Sequence, residues 1–250
     1  MSSLLSTPNG FLNAIFKNSR KGLAFSAVFY YDEVVDFSAI LINSKKGRVG
    51  LNLEQCASVV QGAFLSRIQT SPTMEAVKLP VYTMKEMNEW LSPDPTSVEN
   101  QQDASDVHVD QGRLVSLPLA KEGLVLISLT GQRAVALQQE HVGKLIPSNF
   151  AIIEPKGELH PDYLEWYINE HPDCRKQLKI ATQGSSVAAL SIQMLRTLEI
   201  ILPTMDDQVM IGSVHRLLHR KNRLLQERIL WEQQYIKQIL MGYLKEEVSK

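Results

Sequence analysis

The catalytic side-chain types that stand closest together in this sequence are His171, Asp173 and Cys174. A base, a carboxylate and a thiol are the components of a cysteine hydrolase. Residues this close along a chain rarely meet in the geometry that proton transfer requires. We therefore predict no nucleophilic catalytic site in this segment.

A second combination has the residue types of a nuclease core. Asp94 follows Pro93, and Glu154 lies two residues before Lys156. Asp94 belongs to residues 92–107, an acidic stretch almost free of apolar side chains that we predict to be an exposed loop. A Mg²⁺-dependent nuclease using Asp94, Glu154 and Lys156 remains the enzyme alternative.

His215 and His219 are the sequence's best candidate for a metal-binding pair, because a spacing of four places both imidazoles on one face of a helix. The Glu of a His-Glu-x-x-His pattern is missing, and the sequence shows no third ligand. Cys56 and Cys174 lie too far apart to form a clustered zinc site. We predict reduced thiols and no metal site.

Two absences bear on activity. Residues 147–150 read PSNF, which departs at its first three positions from the Asn/Asp-Pro-Pro-Tyr/Phe tetrapeptide expected of an amino-methyltransferase. There is no glycine-rich cofactor loop after a strand and no P-loop lysine. We predict that this chain alone is not an enzyme and needs no cofactor.

Size and composition indicate an ordinary globular protein. The chain has 250 residues and a formal net charge of −1, so a polyanion would have to be bound by local patches. The N-terminus lacks the features of a signal peptide, and no apolar run approaches the roughly 20 residues that span a bilayer. We expect a cytoplasmic protein with no membrane association.

The hydrophobic patterns predict an α+β fold: a globular domain of mixed strands and helices, followed by one long coiled-coil-forming helix. Residues 1–49 read as an N-terminal helix-hairpin extension of unclear role, 50–205 as the globular domain and 206–250 as the long helix. Strands are predicted in KLPVYTM, GLVLISLTG, RAVALQQ and NFAIIEP. Helices are predicted in LNLEQCASVVQGAFLSR (from Asn52, ending at Gly62), in KEMNEWL and in PDYLEWYINEHPDCRKQLKIAT, with one break at His171–Pro172.

The C-terminal segment carries a helical stripe of apolar residues at steps of three, four and seven. Its members are Ile211, Val214, Leu218, Leu225, Ile229, Ile236, Ile239 and Tyr243. About 40 residues at 1.5 Å each form a rod of roughly 60 Å, too long to bury its stripe against one small domain. The sequence offers no second helix of matching length, so we predict that the partner is another chain.

Four segments in this order resemble the specificity subunit of type I restriction–modification systems, in a short form with a single target-recognition domain. They are LEQCASVVQG, EGLVLISLTG, IPSNFAIIEPKGELHPDYLEWYI and GSSVAALSIQMLRTLEIILPTMDDQVMI. The sequence departs from the family where Leu124 follows Gly123 instead of Asp, and where Asp207 replaces the usual Glu before Gln208. Residues 1–49 have no counterpart.

The resemblance implies a non-catalytic subunit that reads double-stranded DNA and directs a DNA adenine methyltransferase to its site, within a defence system. Partners would be methyltransferase subunits; whether a nuclease or translocase subunit also joins stays open. With one recognition domain, the family's paired helices imply a homodimer that reads an inverted repeat.

Under this hypothesis, polar loop residues are the candidate DNA contacts, because cations bind phosphates while amides and guanidinium groups read base edges. The candidates are Gln61, Gly62 and Arg67; Thr130, Gly131, Gln132 and Arg133; Lys144, Ser148 and Asn149; and Gly184 and Ser185 within TQGSS. Each is also compatible with an ordinary loop residue, and TQGSS with a helix-to-strand turn. The alternative function is a coiled-coil interaction or scaffold protein that does not bind DNA.

Overall fold

The computed structural model describes residues 49–71, 76–91, 106–183 and 189–248, with side chains to residue 242. The predicted N-terminal extension lies outside the described residues except for Val49, and so do Asp94, Gly184 and Ser185. The predicted domain boundaries stay predictions. Within the described part of the chain, no helix is both long and apolar enough to cross a membrane.

A four-stranded antiparallel sheet with the order β2-β7-β5-β6 forms the centre of the globular part. The described strands are β1 (Val49–Asn52), β2 (Ala57–Gln61), β3 (Ala76–Pro80), β4 (Asp106–Asp110), β5 (Val125–Ser128), β6 (Ala134–Ala136), β7 (Phe150–Pro155) and β8 (Glu199–Leu202). Strands β1 and β8 pair with each other, and so do β3 and β4. The predictions of strand in β3, β5, β6 and β7 are confirmed.

Both faces of the central sheet are covered, which explains why β5 and β7 read as continuous apolar runs. Alternate side chains point to opposite faces. Val125, Ile127 and Ile153 belong to one core cluster, whereas Leu126 and Ile152 belong to another.

The helices confirm most of the sequence prediction. They are α1 (Leu53–Cys56), α2 (Leu65–Ile68), α3 (Met84–Leu91), α4 (Pro161–Glu170), α5 (Pro172–Thr182), α6 (Ile192–Arg196) and α7 (Met205–Val248). The break at His171–Pro172 separates α4 from α5. The mixed α+β class and the long C-terminal helix are both as expected.

The predicted helix from Asn52 to Gly62 is wrong over most of its length. Only α1 is helical, and residues 57–61 form strand β2, paired with β7 from Ala57↔Pro155 to Gln61↔Ala151. Val59 and Val60 are β-branched, and alternate side chains of β2 are buried in its first half. Tertiary pairing overrides the weak helical pattern because it supplies cross-strand hydrogen bonds along the whole segment.

Gln208 anchors the start of α7 to the globular part. Its side chain is 1% exposed and makes three hydrogen bonds. The amide Nε2 donates to the Glu158 carbonyl at 2.9 Å and to the Pro203 carbonyl at 3.0 Å, while Oε1 accepts from the His160 N–H at 2.9 Å. The glutamine of the sequence signature therefore joins the helix to the turn between β7 and α4.

The departure at Asp207 keeps the helix cap. The Thr204 hydroxyl donates to the Asp207 carboxylate at 2.8 Å, and the Asp207 N–H donates to the Thr204 hydroxyl at 3.3 Å. The Thr204 hydroxyl therefore caps a free N–H of the first helical turn, and the Asp207 carboxylate holds that hydroxyl in place. Asp206 and Asp207 also place negative charge at the positive end of the helix dipole.

Helix α7 crosses α4 closely. A Cβ at Gly212 would lie 2.7 Å from Cβ of Asp162 and 2.9 Å from N of Tyr163, so glycine is required for this approach. One turn further on, the Arg216 guanidinium pairs with the Asp162 carboxylate at 2.7 Å. Gly212 is therefore the crossing point of the two helices.

Gln208→Ala is expected to destabilise the protein by about 2–3 kcal/mol, because the buried His160 N–H and two carbonyls lose their partner. For a domain of this size, the melting temperature should fall by roughly 4–10 °C. Thermal unfolding followed by circular dichroism measures the change. Gln193→Ala, at an exposed glutamine, is the matched control and should stay within about 0.5 kcal/mol. Equal melting of Gln208→Ala and parent would contradict the anchoring role.

Candidate nucleic-acid interface

Three of the predicted clusters meet at one end of the central sheet. Gln61 ends β2, Asn149 precedes β7, and Thr130 lies just after β5, and the register aligns these ends. The Gln61 side-chain amide donates to the Ser148 carbonyl at 2.8 Å, and the Leu129 N–H donates to the Asn149 carbonyl at 3.0 Å. Residues distant in sequence thus form one continuous rim.

The turn at residues 129–133 is held rigidly. Gln132 has a φ of 53°, in the left-handed region that a non-glycine residue rarely adopts. Its N–H donates to the Ser128 carbonyl at 2.9 Å, and its own carbonyl accepts from the Arg175 guanidinium at 2.7 Å. Its side-chain amide also donates to the Thr182 hydroxyl at 3.3 Å. Such over-determined strained positions often occur in ligand-binding turns.

Gly62 has a packing role that its residue type alone did not reveal. It is buried, its N–H donates to the Phe150 carbonyl at 3.0 Å, and a Cβ would lie 2.2 Å from O of Pro147. The backbone of Gly62 therefore touches the segment that carries Ser148 and Asn149. Its contribution is to set the shape of the rim.

Arg67 lies beside this rim and next to Arg113, a residue that the sequence did not indicate as a DNA contact. The Arg113 guanidinium donates to the Arg67 carbonyl at 3.3 Å, and the Arg67 guanidinium stacks 4.6 Å from the Phe64 ring centroid. Both arginines are exposed, and both line an open groove of about 670 Å³ that continues to Gln61. No spacing or motif in the sequence links Arg113 to Arg67, because a fold brings together residues 46 positions apart.

Two predicted residues face elsewhere. The Lys144 ammonium pairs with the Glu86 carboxylate of α3, away from the rim. Arg133 is half-buried, with its Nε hydrogen-bonded to no described residue, and its charge acts on His219. The rim is thus formed by five exposed residues and two half-buried ones, with the exposed Arg113 beside it; they are Gln61, Arg67, Thr130, Gly131 and Asn149, and Gln132 and Ser148 respectively.

The two ends of the sheet differ in charge. Residues 61–67, 128–133 and 147–150 contain no Asp or Glu. The opposite end carries four glutamates, two before β2 and β5, one within β7 and one after it, together with two lysines; they are Glu54, Glu122, Glu154 and Glu158, and Lys121 and Lys156. An acid-free rim with exposed arginines and amides has the electrostatics and hydrogen-bonding groups that a nucleic-acid backbone and base edges require.

The positions of the described residues support neither the cysteine-hydrolase combination nor the nuclease combination that the sequence contains. Cys174 is completely buried, and burial raises the pKa of its thiol to about 12, so it remains a protonated core residue. Both Cys174 and Cys56 are free thiols. Glu154 points outward from β7 at the acidic end of the sheet, and its proposed partner Asp94 lies outside the described residues.

Helix α7 divides into a docked and an undocked part. Ile211 packs against the main core cluster and Val214 is half-buried. From Arg220 to Gly242 every described side chain except Leu230 is exposed. The pairing stripe, which we define as Leu218, Leu225, Ile229, Ile236 and Ile239, is 42–56% exposed.

A second apolar stripe runs along the same helix, beside the stripe that the sequence predicted. This lateral stripe consists of Leu224, Trp231 and Tyr235, which are 52%, 71% and 65% exposed. At 100° per residue its centre lies roughly 110° around the helix from the centre of the pairing stripe. The two stripes together span about 160° of the helix surface, which is wider than the narrow seam that one partner helix covers.

Comparisons with known proteins give matches in structure. No model of a protein family matches the chain, and no curated protein matches it. A chain from a structural study of complex assembly and conformational transition of the type I R-M system matches with a TM-score of 0.50 and 15% identity, over 78% of this chain and 44% of that chain.

Two further solved structures match less closely. The HsdS subunit from Thermoanaerobacter tengcongensis has a TM-score of 0.43 and 15% identity, over 74% of this chain and 40% of that one. The type I S subunit from M. genitalium has a TM-score of 0.46 and 10% identity, over 82% and 47%. This chain therefore spans less than half the length of the structures it matches. The resemblance found in the sequence agrees with this result at the level of fold: the chain shares its fold with a chain of the type I R-M system.

Proposed function

We propose that this chain is the sequence-specific DNA-recognition subunit of a type I-like restriction–modification or related defence complex. It is not catalytic by itself and directs a DNA adenine methyltransferase to its target. The observation that carries the proposal is that this chain shares its fold with a chain of a type I system. Within this fold, three groups of the predicted contact residues of this chain meet on one acid-free rim.

The division of labour on the rim follows from its chemistry. Arg67 and Arg113 are the phosphate-binding cations, because guanidinium groups pair with phosphate oxygens. Asn149 is the base-reading amide, since its exposed side chain can both donate to and accept from an adenine edge, whereas the amide of the half-buried Gln132 already donates to Thr182. The rigid turn at Gln132 lowers the entropy that would be lost on binding.

The undocked part of α7 supports a role in assembly. In the proposal, the pairing stripe joins two copies of the chain, and two-fold symmetry makes the preferred target an inverted repeat. The lateral stripe is then left for methyltransferase subunits. Whether a nuclease subunit joins the complex depends on the system.

The proposal is tested by selecting duplexes from a randomised library and measuring affinity for the selected sequence against salt concentration. Binding should weaken steeply as salt rises, because phosphate contacts release counterions. Arg67→Ala should weaken binding to all sequences. It should also reduce the magnitude of the slope of log affinity against log salt concentration by about 1. Asn149→Ala should relax the selected sequence at one position in each half-site, at a cost of about 1–3 kcal/mol.

Lys156→Ala is the matched control, because Lys156 is an exposed cation beyond the opposite end of β7. Its affinity and salt slope should equal those of the parent. If no duplex binds in low salt, or if the control and Arg67→Ala are indistinguishable, the chain is the scaffold protein of the alternative hypothesis. Mg²⁺-dependent cleavage that is lost in Glu154→Ala would support the nuclease instead.

A further inference from the structure

A compact group of imidazoles and a carboxylate lies where α7 leaves the globular part. Glu165 of α4 is 3% exposed and His215 of α7 is 7% exposed, and His219 is half-buried one turn further along. One ligand atom from each lies within 4.8 Å of the others. The sequence contained the histidine pair but gave no sign of the carboxylate, which lies far back along the chain on another helix.

The distances fit one small cation. Nε2 of His215 lies 3.1 Å from Nε2 of His219 and 3.6 Å from Oε1 of Glu165. Zinc bonds of about 2.0–2.1 Å in tetrahedral geometry place neighbouring ligand atoms about 3.3 Å apart. These two spacings bracket that value, and the ligand atoms of His219 and Glu165 lie within 4.8 Å of each other, so a small side-chain rotation would close the three ligands around one ion.

Hydrogen bonds among Glu165, His215 and His219 satisfy these three side chains less completely than a bound cation would. A ring nitrogen carries at most one hydrogen, so Nε2 of His215 can donate to His219 or to Glu165 but not to both. The 3.6 Å contact to Glu165 is also beyond hydrogen-bonding distance. A cation would bind all three atoms at once.

The surrounding residues already orient the ligands. Oε2 of Glu165 accepts from the Ala136 N–H at 2.8 Å, and Oε1 accepts from the Trp90 indole N–H at 3.0 Å. The Trp90 ring also stacks on His219, with centroids 6.3 Å apart and planes 18° apart. Hydrogen-bonded carboxylates and fixed imidazoles are the outer-shell features of protein metal sites.

We infer that Glu165, His215 and His219 bind a divalent transition-metal ion of the zinc class. Two imidazoles and one carboxylate match the ligand preference of Zn²⁺, whereas Mg²⁺ and Ca²⁺ require more oxygen ligands. His219 reaches solvent, so water can occupy the fourth position.

The ion would cross-link the long helix to the globular part. Its ligands come from α4 and α7, and the Trp90 that supports Glu165 comes from α3. Together with the Gln208 anchor and the Gly212 crossing, it would fix the direction in which α7 projects. Such a role concerns the stability and geometry of the helix and does not depend on DNA binding.

The test is direct metal binding to the full chain after treatment with a chelator. Co²⁺, used as a spectroscopic substitute for Zn²⁺, should bind at about one equivalent with visible absorption bands of low coordination number, and Zn²⁺ should displace it. Zn²⁺ at 100 times its dissociation constant should raise the melting temperature by roughly 5–10 °C, and Mg²⁺ should not.

Variants locate the site. His219→Asn and Glu165→Gln should each weaken Co²⁺ binding more than about tenfold, and Trp90→Phe about tenfold through the lost hydrogen bond. His108→Asn is the matched control, because His108 lies on β4 outside the cluster. Circular dichroism of the metal-free variants checks folding. Absence of stoichiometric Co²⁺ and Zn²⁺ binding by the parent, or unchanged binding by a folded His219→Asn protein, would overturn the inference.

Discussion

Replacing Leu225 and Ile229 together by lysine is expected to convert the protein from a dimer to a monomer. Both side chains are 45% exposed on the pairing stripe, beyond the region where α7 packs on the globular part. In a symmetric dimer each substitution occurs twice, so four apolar contacts are lost. At about 1 kcal/mol each, dimerisation should weaken by roughly 1000-fold.

The double variant should keep the fold of the globular part, because Leu225 and Ile229 contribute to none of its core clusters. Sedimentation equilibrium at micromolar concentration measures the association constant, and circular dichroism follows the helix. Affinity for the inverted repeat should also fall, while affinity for a single half-site should be retained.

A matched pair of glutamine substitutions controls for added charge. Gln226→Lys and Gln234→Lys lie on the same exposed stretch but outside both apolar stripes, so this double variant should remain dimeric. A parent protein that is monomeric at micromolar concentration would refute pairing through α7. If the variant at Leu225 and Ile229 stays dimeric, the pairing surface lies elsewhere.

Gly62→Ala is expected to have the largest effect of a single methyl group on stability. The added Cβ would lie 2.2 Å from O and 2.6 Å from C of Pro147, and 2.6 Å from O of Ile146, all backbone atoms. Backbone cannot rotate away as a side-chain tip can, so the segment at Ser148 and Asn149 must shift. We expect a loss of about 3 kcal/mol or more, which is a fall of roughly 6–12 °C in melting temperature.

The same shift should distort the rim, so that DNA affinity falls even under conditions where Gly62→Ala remains folded. Gly157→Ala is the control, since the residue is exposed and no atom lies within 4 Å of the position that the added methyl group would take. Its stability should change by less than about 0.5 kcal/mol. Equal melting temperatures for the two variants would show that the close approach at Gly62 does not constrain the rim.

Most helices and four of the eight described strands followed from local patterns. Pro161 and Pro172 begin α4 and α5, and Thr204 with Asp207 caps α7. These features act between neighbours in the chain, so spacing alone predicts them. The failure at residues 57–61 has the opposite cause, because the partner that makes this segment a strand is β7, which lies much further along the chain.

The residues of the candidate rim also divide into those that the sequence identified and those that only the fold revealed. Residue types identified Gln61, Gln132 and Asn149 as polar loop positions, but only strand register could bring them together. Lys144 met the sequence criterion for a phosphate contact, and Glu86 of α3 neutralises it in the fold. Arg113 met no criterion and lies beside Arg67.

By itself, the sequence determined the α+β class, the long helix with its unburied stripe, and the resemblance to specificity subunits, because these depend on periodicity and order along the chain. Only the tertiary structure decided which loops share a rim, why Gly62 and Gly212 are glycines, and that Glu165 meets His215 and His219. Those relations depend on distances between residues far apart in sequence, and such distances are set by the packing of strands and helices.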